Sequence, residues 1–174
     1  MNIQIELISA SELADESFNI VINDLKPRET YRVEMFLSDY YCINAPMRLA
    51  HDALWKSTAT FVSDTNGIIN ISQTPSCSGS YEGISTMGLF FNAKPLTNKR
   101  KKLPNSLSKI PLLDHFFVGI KIMQGNTVIA ERTFTRHYMS LQISHQDIYG
   151  KHFQGRLFYD KKAIKTPSID YCER

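Results

Sequence analysis

Two glycines around residue 81 have the spacing of a catalytic turn. Gly79-Ser80-Tyr81-Glu82-Gly83 matches the glycine spacing of the G-x-S-x-G nucleophile elbow of α/β-hydrolases. An elbow needs an activated serine at its centre and a helix after it. Tyr81 holds the central position here, and no helical pattern follows it. The segment therefore predicts a turn shaped by glycine and not a nucleophile.

Cysteine and histidine are the other residue types here that could do nucleophilic chemistry. Cys77 could act with a histidine that the fold brings near, as Cys–His pairs do in other hydrolases. The sequence contains five histidines, His51, His115, His137, His145 and His152. Their spacing is not that of a set of metal ligands. Phosphate-loop, dinucleotide and HExxH motifs are absent from the sequence. We therefore predict no catalytic, cofactor-binding or metal-binding residue, with a site at Cys77 as the alternative.

Charge and targeting signals exclude several classes of protein. The basic run Lys99-Arg100-Lys101-Lys102 has no interleaved aromatic residue to stack on bases, so it predicts a solvated loop and no nucleic-acid partner.

The three cysteines, Cys42, Cys77 and Cys172, are odd in number without a CxxC pair, which indicates reduced thiols. The N-terminus has no secretory pattern, and no apolar run reaches the ~20 residues of a membrane span. We expect a cytoplasmic protein.

Most of the sequence consists of short stretches in which apolar and polar residues alternate. These stretches are the predicted strands that would position Cys77 and the histidines. This pattern, with turn residues between the stretches, predicts an all-β fold, a sandwich of two antiparallel sheets. Residues 44–54 are the best helix candidate, at most about three turns long. A hairpin turn is expected at 124–126. The expected strands are 3–7, 18–22, 31–37, 55–62, 67–71, 87–91, 115–123, 127–136, 139–143 and 156–159.

The predicted core follows from the same alternation. Residues at alternate positions of a strand share one face, and the strand at 55–62 has its large residues at the two ends of one such face. We expect that face to point inward and the apolar run at 87–91 to be a buried strand. The predicted core side chains include Trp55, Phe61, Leu89 and Phe90.

Residues 55–95 combine several short motifs in a fixed order. A strand W-x-S-x-A-x-F is followed by a turn and G-x-I-N-I, then by a G-S-Y-x-G loop and M-G-L. This order resembles the N-terminal domain of the acyl-CoA thioesterase and bile acid-CoA:amino acid N-acyltransferase family. The residues that carry it are Trp55, Ser57, Ala59, Phe61, Gly67, Ile69, Asn70, Ile71, Gly79, Ser80, Tyr81, Gly83, Met87, Gly88 and Leu89.

Upstream and downstream segments extend the resemblance over about residues 5 to 160. Ala14-Asp15-Glu16 resembles the Asp-Glu pair that the family has before its second strand. Asp24-Leu25-Lys26-Pro27 resembles its G-L-x-P turn, with Asn23-Asp24 where glycine is usual. Gly155-Arg156-Leu157-Phe158 resembles the strand that opens the family's second domain, and Pro167-Ser168-Ile169 the start of its next strand.

The resemblance implies an immunoglobulin-like β-sandwich at residues 1–154. In the family, such a domain precedes an α/β-hydrolase domain, which carries a Ser or Cys nucleophile, a His and an Asp and cleaves or transfers the acyl group of acyl-CoA. Residues 155–174 are then expected to be a linker and the first strand of that domain. The implied partner is this hydrolase domain, acyl-CoA binds only through it, and the chain alone is expected to be inactive.

A second hypothesis needs no hydrolase domain. The same sandwich could be a free-standing module that binds a partner protein through exposed edges or loops. A hydrolase reading frame directly downstream in the genome favours the accessory domain over this alternative.

Overall fold

The computed structural model describes residues 2–38, 54–96 and 114–163. In these ranges regular structure is nearly all extended, apart from the four-residue helix α1 and a 3₁₀ turn at Lys161–Ala163. The elements are β1 (Gln4–Ser9), β2 (Phe18–Asn23), β3 (Thr30–Ser38), β4 (Trp55–Val62), β5 (Ile69–Asn70), β6 (Ser78–Gly79), α1 (Gly88–Phe91), β7 (Lys94–Pro95), β8 (His115–Gln124), β9 (Thr127–His137), β10 (Ile143–Tyr149) and β11 (Gln154–Asp160).

The strands form three antiparallel sheets. One sheet has the order β1-β2-β5, and the larger has the order β6-β4-β3-β8-β9 with β7 also paired to β4. The third is the hairpin β10-β11. The chain divides into a first unit, Met1–Tyr138, which contains the two larger sheets, and a second unit, Met139–Arg174, which contains the hairpin. The predicted all-β sandwich is confirmed, whereas its immunoglobulin-like arrangement and the boundary after residue 154 stay predictions.

The core of the first unit is formed by one face of each of its two sheets. In β2 and β8, buried and half-buried residues alternate strictly over most of the strand, as expected when one face of an antiparallel sheet is covered. Burying one large apolar side chain contributes roughly 1.5–3 kcal/mol. The buried cluster consists of Ile5, Phe18, Ile20, Ile22, Leu25, Tyr31, Val33, Met35, Leu37, Ala59, Phe61, Ile69, Ile71, Leu89, Phe116, Val118, Ile120 and Ile122.

Two of the four predicted core residues are confirmed as buried, and the strand predicted at 87–91 is wrong. Phe61 and Leu89 are buried, whereas Trp55 and Phe90 are half-buried and pack against the core cluster. Residues 88–91 form α1 instead of a strand, with the Phe91 N–H donating to the carbonyl of Met87. Only a helical turn lets the consecutive residues Leu89 and Phe90 both face the core, because side chains alternate across a strand.

The strand predicted at 139–143 is also wrong. A turn closes there, since the Ile143 N–H donates to the carbonyl of Ser140, and β10 begins at Ile143. The helix candidate at 44–54 lies outside the described residues except for Leu54, which has no regular structure. The basic run 99–102 and the residues Cys42, His51 and Cys172 also lie outside them. In the described ranges, helices are too short to cross a membrane.

The turn between β2 and β3 has left-handed backbone at two residues other than glycine. Asp24 stands near the position where the family has glycine, and its φ is +62°. Left-handed backbone favours glycine, and aspartate is one of the few other residues that visit it routinely. Arg28 in the same turn also has left-handed backbone, with φ +58°. Arginine does not share the tolerance of aspartate for this conformation. The turn therefore carries backbone strain at Arg28.

Replacing Arg28 with glycine is expected to stabilise the fold. A left-handed L-residue costs ~1–2 kcal/mol, and glycine loses roughly 0.5–1 kcal/mol of additional chain entropy on folding. We expect the free energy of unfolding to rise by about 0.5–1 kcal/mol, measured by urea denaturation. Arg28→Ala keeps the Cβ atom and is the matched control, for which no gain is expected. A less stable Arg28→Gly protein would contradict the strain.

Candidate functional site

The GSY loop (residues 76–83) covers the outer edge of β4. The Cys77 N–H donates to the carbonyl of Thr60 at 2.8 Å, and the Ser80 N–H to the carbonyl of Thr58 at 2.7 Å. The Thr58 N–H donates to Ser80 Oγ at 3.0 Å. Further along the same edge β7 pairs with the start of β4. The loop therefore satisfies backbone groups that would otherwise be open to another chain.

Ser76 closes the GSY loop on itself. Ser76 and Gly83 exchange two backbone hydrogen bonds, each 2.9 Å long. The single proton of the Ser76 hydroxyl is shared between the carbonyls of Ser78 and Tyr81, at 3.0 and 2.9 Å. Ser76 is buried, and its hydroxyl acts as an internal brace. The predicted glycine loop is therefore confirmed as a closed, hydrogen-bonded turn.

Gly79 is required by the close approach of the loop to β4. Its φ is +124°, and a Cβ atom added there would lie 2.4 Å from the carbonyl oxygen of Thr58 and 2.8 Å from Cα of Ala59. Both neighbours are backbone atoms of a central strand and cannot easily shift. Only glycine combines this conformation with this contact.

Tyr81 packs on Gly88 and connects the loop with α1. A Cβ atom added at Gly88 would lie 2.5 Å from the Tyr81 ring, so the glycine leaves the space that the ring fills. The Tyr81 hydroxyl donates to the carbonyl of Ser85 at 3.5 Å, and burial raises the pKa of Tyr81 to about 12. A neutral, half-buried phenol at this position is a packing residue and not a nucleophile.

Within the first unit, Cys77 bonds to Thr60 of β4, whereas His115 and His137 lie on β8 and β9, on the other side of β3. The Cys77 side chain is exposed. In the parts of the chain with assigned structure, no three His, Cys, Asp or Glu side chains are placed to hold a metal ion. His145 lies beside Phe158 in the second unit, with ring centroids 6.0 Å apart. His152 lies in the turn of that hairpin.

One histidine pair was missed by the sequence reasoning. His115 and His137 are opposite each other on β8 and β9, with ring centroids 6.0 Å apart. His115 Nδ1 lies 2.5 Å from Asp114 Oδ1, and His137 Nε2 lies 3.9 Å from Glu12 Oε2. The hydrogen bond from His115 lowers the pKa of Asp114. Each histidine of the pair therefore lies beside a carboxylate.

A second residue missed from the sequence is Arg136, which is only 1 % exposed. It lines a groove of about 340 Å³ between β1 and the end of β9. Its guanidinium donates to the carbonyls of Ser11, Leu13 and Glu16 and stacks on Phe18. Burial lowers the pKa of Arg136, partly offset by Glu12, Glu16 and Asp15. Arg136 therefore anchors residues 11–16, the segment between β1 and β2, to the sandwich.

Comparison with known proteins identifies the same family as the motifs. The chain is 27% identical over 112 residues to mouse Acyl-coenzyme A amino acid N-acyltransferase 2, a match that covers 64% of this chain and 24% of that protein. It is 28% identical over 95 residues to mouse Acyl-coenzyme A amino acid N-acyltransferase 1, covering 55% of this chain and 20% of that protein. The chain thus spans about a quarter of the length of these relatives.

The matched region includes the motifs of residues 55–95 and the turn at 24–27, but not the first strand or the two motifs at 155–158 and 167–169. The family model for the acyl-CoA thioester hydrolase/BAAT N-terminal region matches residues 15–149. That range contains β2 to β10 and the whole GSY loop. The chain therefore belongs to the acyl-CoA thioester hydrolase/BAAT family and carries its N-terminal region.

Proposed function

We propose that this chain supplies the non-catalytic N-terminal β-sandwich of an acyl-CoA thioester hydrolase or an acyl-CoA:amino acid N-acyltransferase. In this role it packs against an α/β-hydrolase domain that holds the nucleophile, the His and the Asp. Acyl-CoA is bound and cleaved by that second domain, and the sandwich contributes a surface that shapes it. No cofactor is needed for this role.

The observation that carries this proposal is the structural use of the family's most specific motif. Gly79 fits against the backbone of β4, Ser80 bonds to Thr58, and Tyr81 fills the space over Gly88. Thioester hydrolysis needs an activated nucleophile, a neighbouring base and donors for the oxyanion. The motif residues instead make contacts that hold the sandwich together, which supports a role as a scaffold.

The purified chain is expected to hydrolyse acyl-CoA no faster than buffer. Thiol release from palmitoyl-CoA and from a short-chain acyl-CoA measures this, with a known acyl-CoA thioesterase as the positive control. Cys77→Ala is assayed in parallel, because Cys77 is an exposed thiol. Turnover by the wild type that disappears in Cys77→Ala would contradict the accessory role and establish a nucleophile at Cys77.

One feature of the first unit favours the second candidate, a free-standing binding module. Ile84, Phe91 and Leu96 are more than half exposed, and all three follow the GSY loop. Apolar surface of this kind often contacts another protein. The genome separates the two candidates, since a hydrolase reading frame that continues from this chain favours the accessory domain. A reading frame that stops at residue 174 favours the binding module.

A further inference from the structure

The edge groove is the groove between β1 and the end of β9, and the two strand edges beside it are joined at both of its ends. Its walls are formed by residues 7, 9–12 and 134–136. At one end, Arg132 Nη1 donates to the carbonyl of Ile5 at 2.7 Å. At the other end, His137 pairs in parallel with Leu13. Between these two joints the first edge advances eight residues and the second only five, so the excess length leaves a gap.

The backbone groups of Leu7 and Ser9 are open to the edge groove. Ile20 is opposite Leu7 on β2, and its carbonyl accepts a hydrogen bond from the Ile71 N–H, which lies on the far side of β2. Because bonded and non-bonded pairs alternate along antiparallel strands, Leu7 and Ser9 point their N–H and C=O groups away from β2. Both residues line the groove. In the described ranges β1 pairs only with β2, so these groups can pair with an added strand.

The same alternation opens the backbone of Thr135 on the β9 side of the edge groove. The His137 N–H donates to the carbonyl of Glu12, and the Ala14 N–H donates to the carbonyl of His137, both at 2.7 Å. His137 therefore points its backbone groups away from β8, and so does Thr135 two residues earlier. The segment at 12–14 pairs with His137, whereas Thr135 lines the groove. Both walls of the groove therefore present strand edges.

A buried donor without an acceptor also belongs to the edge groove. Arg136 lines the groove and is almost fully buried. Its Nη1 and Nη2 atoms donate to three carbonyls of the segment between β1 and β2. Its Nε atom has no hydrogen-bond partner in the part of the chain that the structure describes. Since buried polar groups are normally hydrogen-bonded, Nε indicates a position for an acceptor oxygen from another molecule.

Carboxylates at the edge groove determine which charge a ligand should carry. Glu12 lines the groove with a side chain that is 78% exposed, and Asp15 and Glu16 are exposed on the same segment. All three raise the pKa of Arg136 against the effect of burial, so the guanidinium charge is already compensated. A neutral carbonyl oxygen therefore suits Nε better than a further anion. The exposed carboxylates favour positive charge elsewhere on the ligand.

We propose that the edge groove binds an extended basic peptide of another protein as an added strand between β1 and β9. The peptide backbone pairs with Leu7 and Ser9 on one side and with Thr135 on the other. One peptide carbonyl accepts a hydrogen bond from Arg136 Nε, and a Lys or Arg side chain of the peptide lies beside Glu12. In strand addition, main-chain hydrogen bonds give affinity and side chains give specificity. All of these residues belong to the first unit, so the proposal does not depend on the accessory role.

Titration of the isotope-labelled chain with a blocked peptide, acetyl-Thr-Lys-Val-Lys-Thr-amide, tests the site by NMR. The amide signals of Leu7, Ser9 and Thr135 and the Nε–H signal of Arg136 are expected to shift with one dissociation constant. Exchange of the three amides is expected to slow about tenfold at saturation. The same peptide with methyl groups on alternate backbone nitrogens cannot pair as a strand and is expected to cause no shift. Unchanged signals with the first peptide, or equal binding of the methylated one, would overturn the proposal.

Three variants separate the edge groove from the rest of the surface. Ala10 is exposed and lines the groove, so Ala10→Phe fills it and should abolish the shifts. Val128 is an exposed residue of β9 outside the groove, and Val128→Phe is the matched control with unchanged affinity. Glu12→Gln should weaken binding of the Lys peptide but not of its Gln analogue. Equal affinity in all variants, or a loss with Val128→Phe, would contradict the site. Shifts on raising the protein concentration alone would mean that a second copy fills the groove and would also contradict it.

Discussion

Replacing Gly79 with alanine is expected to lower the free energy of unfolding by roughly 4 kcal/mol, the sum of two costs of about 1–3 kcal/mol each. The first cost is backbone strain, because Gly79 has φ +124°. The second is overpacking, because the new Cβ atom would meet the carbonyl oxygen of Thr58 at 2.4 Å. Urea denaturation followed by tryptophan fluorescence measures the change, since Trp55 lies on the same strand.

Gly83→Ala is the matched control for Gly79→Ala. Gly83 also has a positive φ, +83°, but a Cβ atom added there has open space around it. Only the conformational cost of ~1–2 kcal/mol is then expected. Equal losses in the two variants would show that the close approach of the GSY loop to β4 contributes nothing to stability.

Replacing Arg136 with methionine is expected to cost roughly 3 kcal/mol, because three hydrogen bonds worth about 1 kcal/mol each are lost. The guanidinium of Arg136 serves the carbonyls of Ser11, Leu13 and Glu16. Part of this cost is offset because a buried cation is removed. The denaturation midpoint measures the loss. Faster amide exchange at Ala14, which donates to the carbonyl of His137 at 2.7 Å, would localise it.

Arg132→Met is the control for this second substitution. Arg132 lies on the same strand and donates to a single carbonyl, that of Ile5, at 2.7 Å. A loss of about 1 kcal/mol is expected there, the usual net value of one hydrogen bond. An Arg136→Met protein no less stable than Arg132→Met would show that Arg136 does not anchor residues 11–16.

The strands of the sandwich could be predicted because their signal is local. β4 spans the predicted residues 55–62, and β8 begins at the predicted His115. Alternation in each strand specifies which side chains point inward without knowledge of any partner strand. The two-residue turn at Gly125-Asn126 was also readable, since a glycine with φ +60° suits a tight hairpin.

The role of the GSY loop could be predicted only in part from the sequence. Its glycines predicted a tight turn, and the motif order identified the family. That Gly79 touches Thr58, and that Tyr81 fills the space over Gly88, depends on residues distant in sequence. For the same reason the apolar run at 87–91 was wrongly predicted as a strand, because five consecutive apolar residues fit either a strand or a helix.

The sequence by itself determined the all-β class, most strands with their inward faces, and membership of the family. Only the tertiary structure decided the register of β9. A bulge there shifts the pairing by one residue, from Met123↔Val128 to Ile122↔Ala130. Since a one-residue shift moves every side chain to the other face, Arg136 enters the core opposite Phe116. A bulge has no reliable local pattern, because it is stabilised by contacts that form only when the sheets pack.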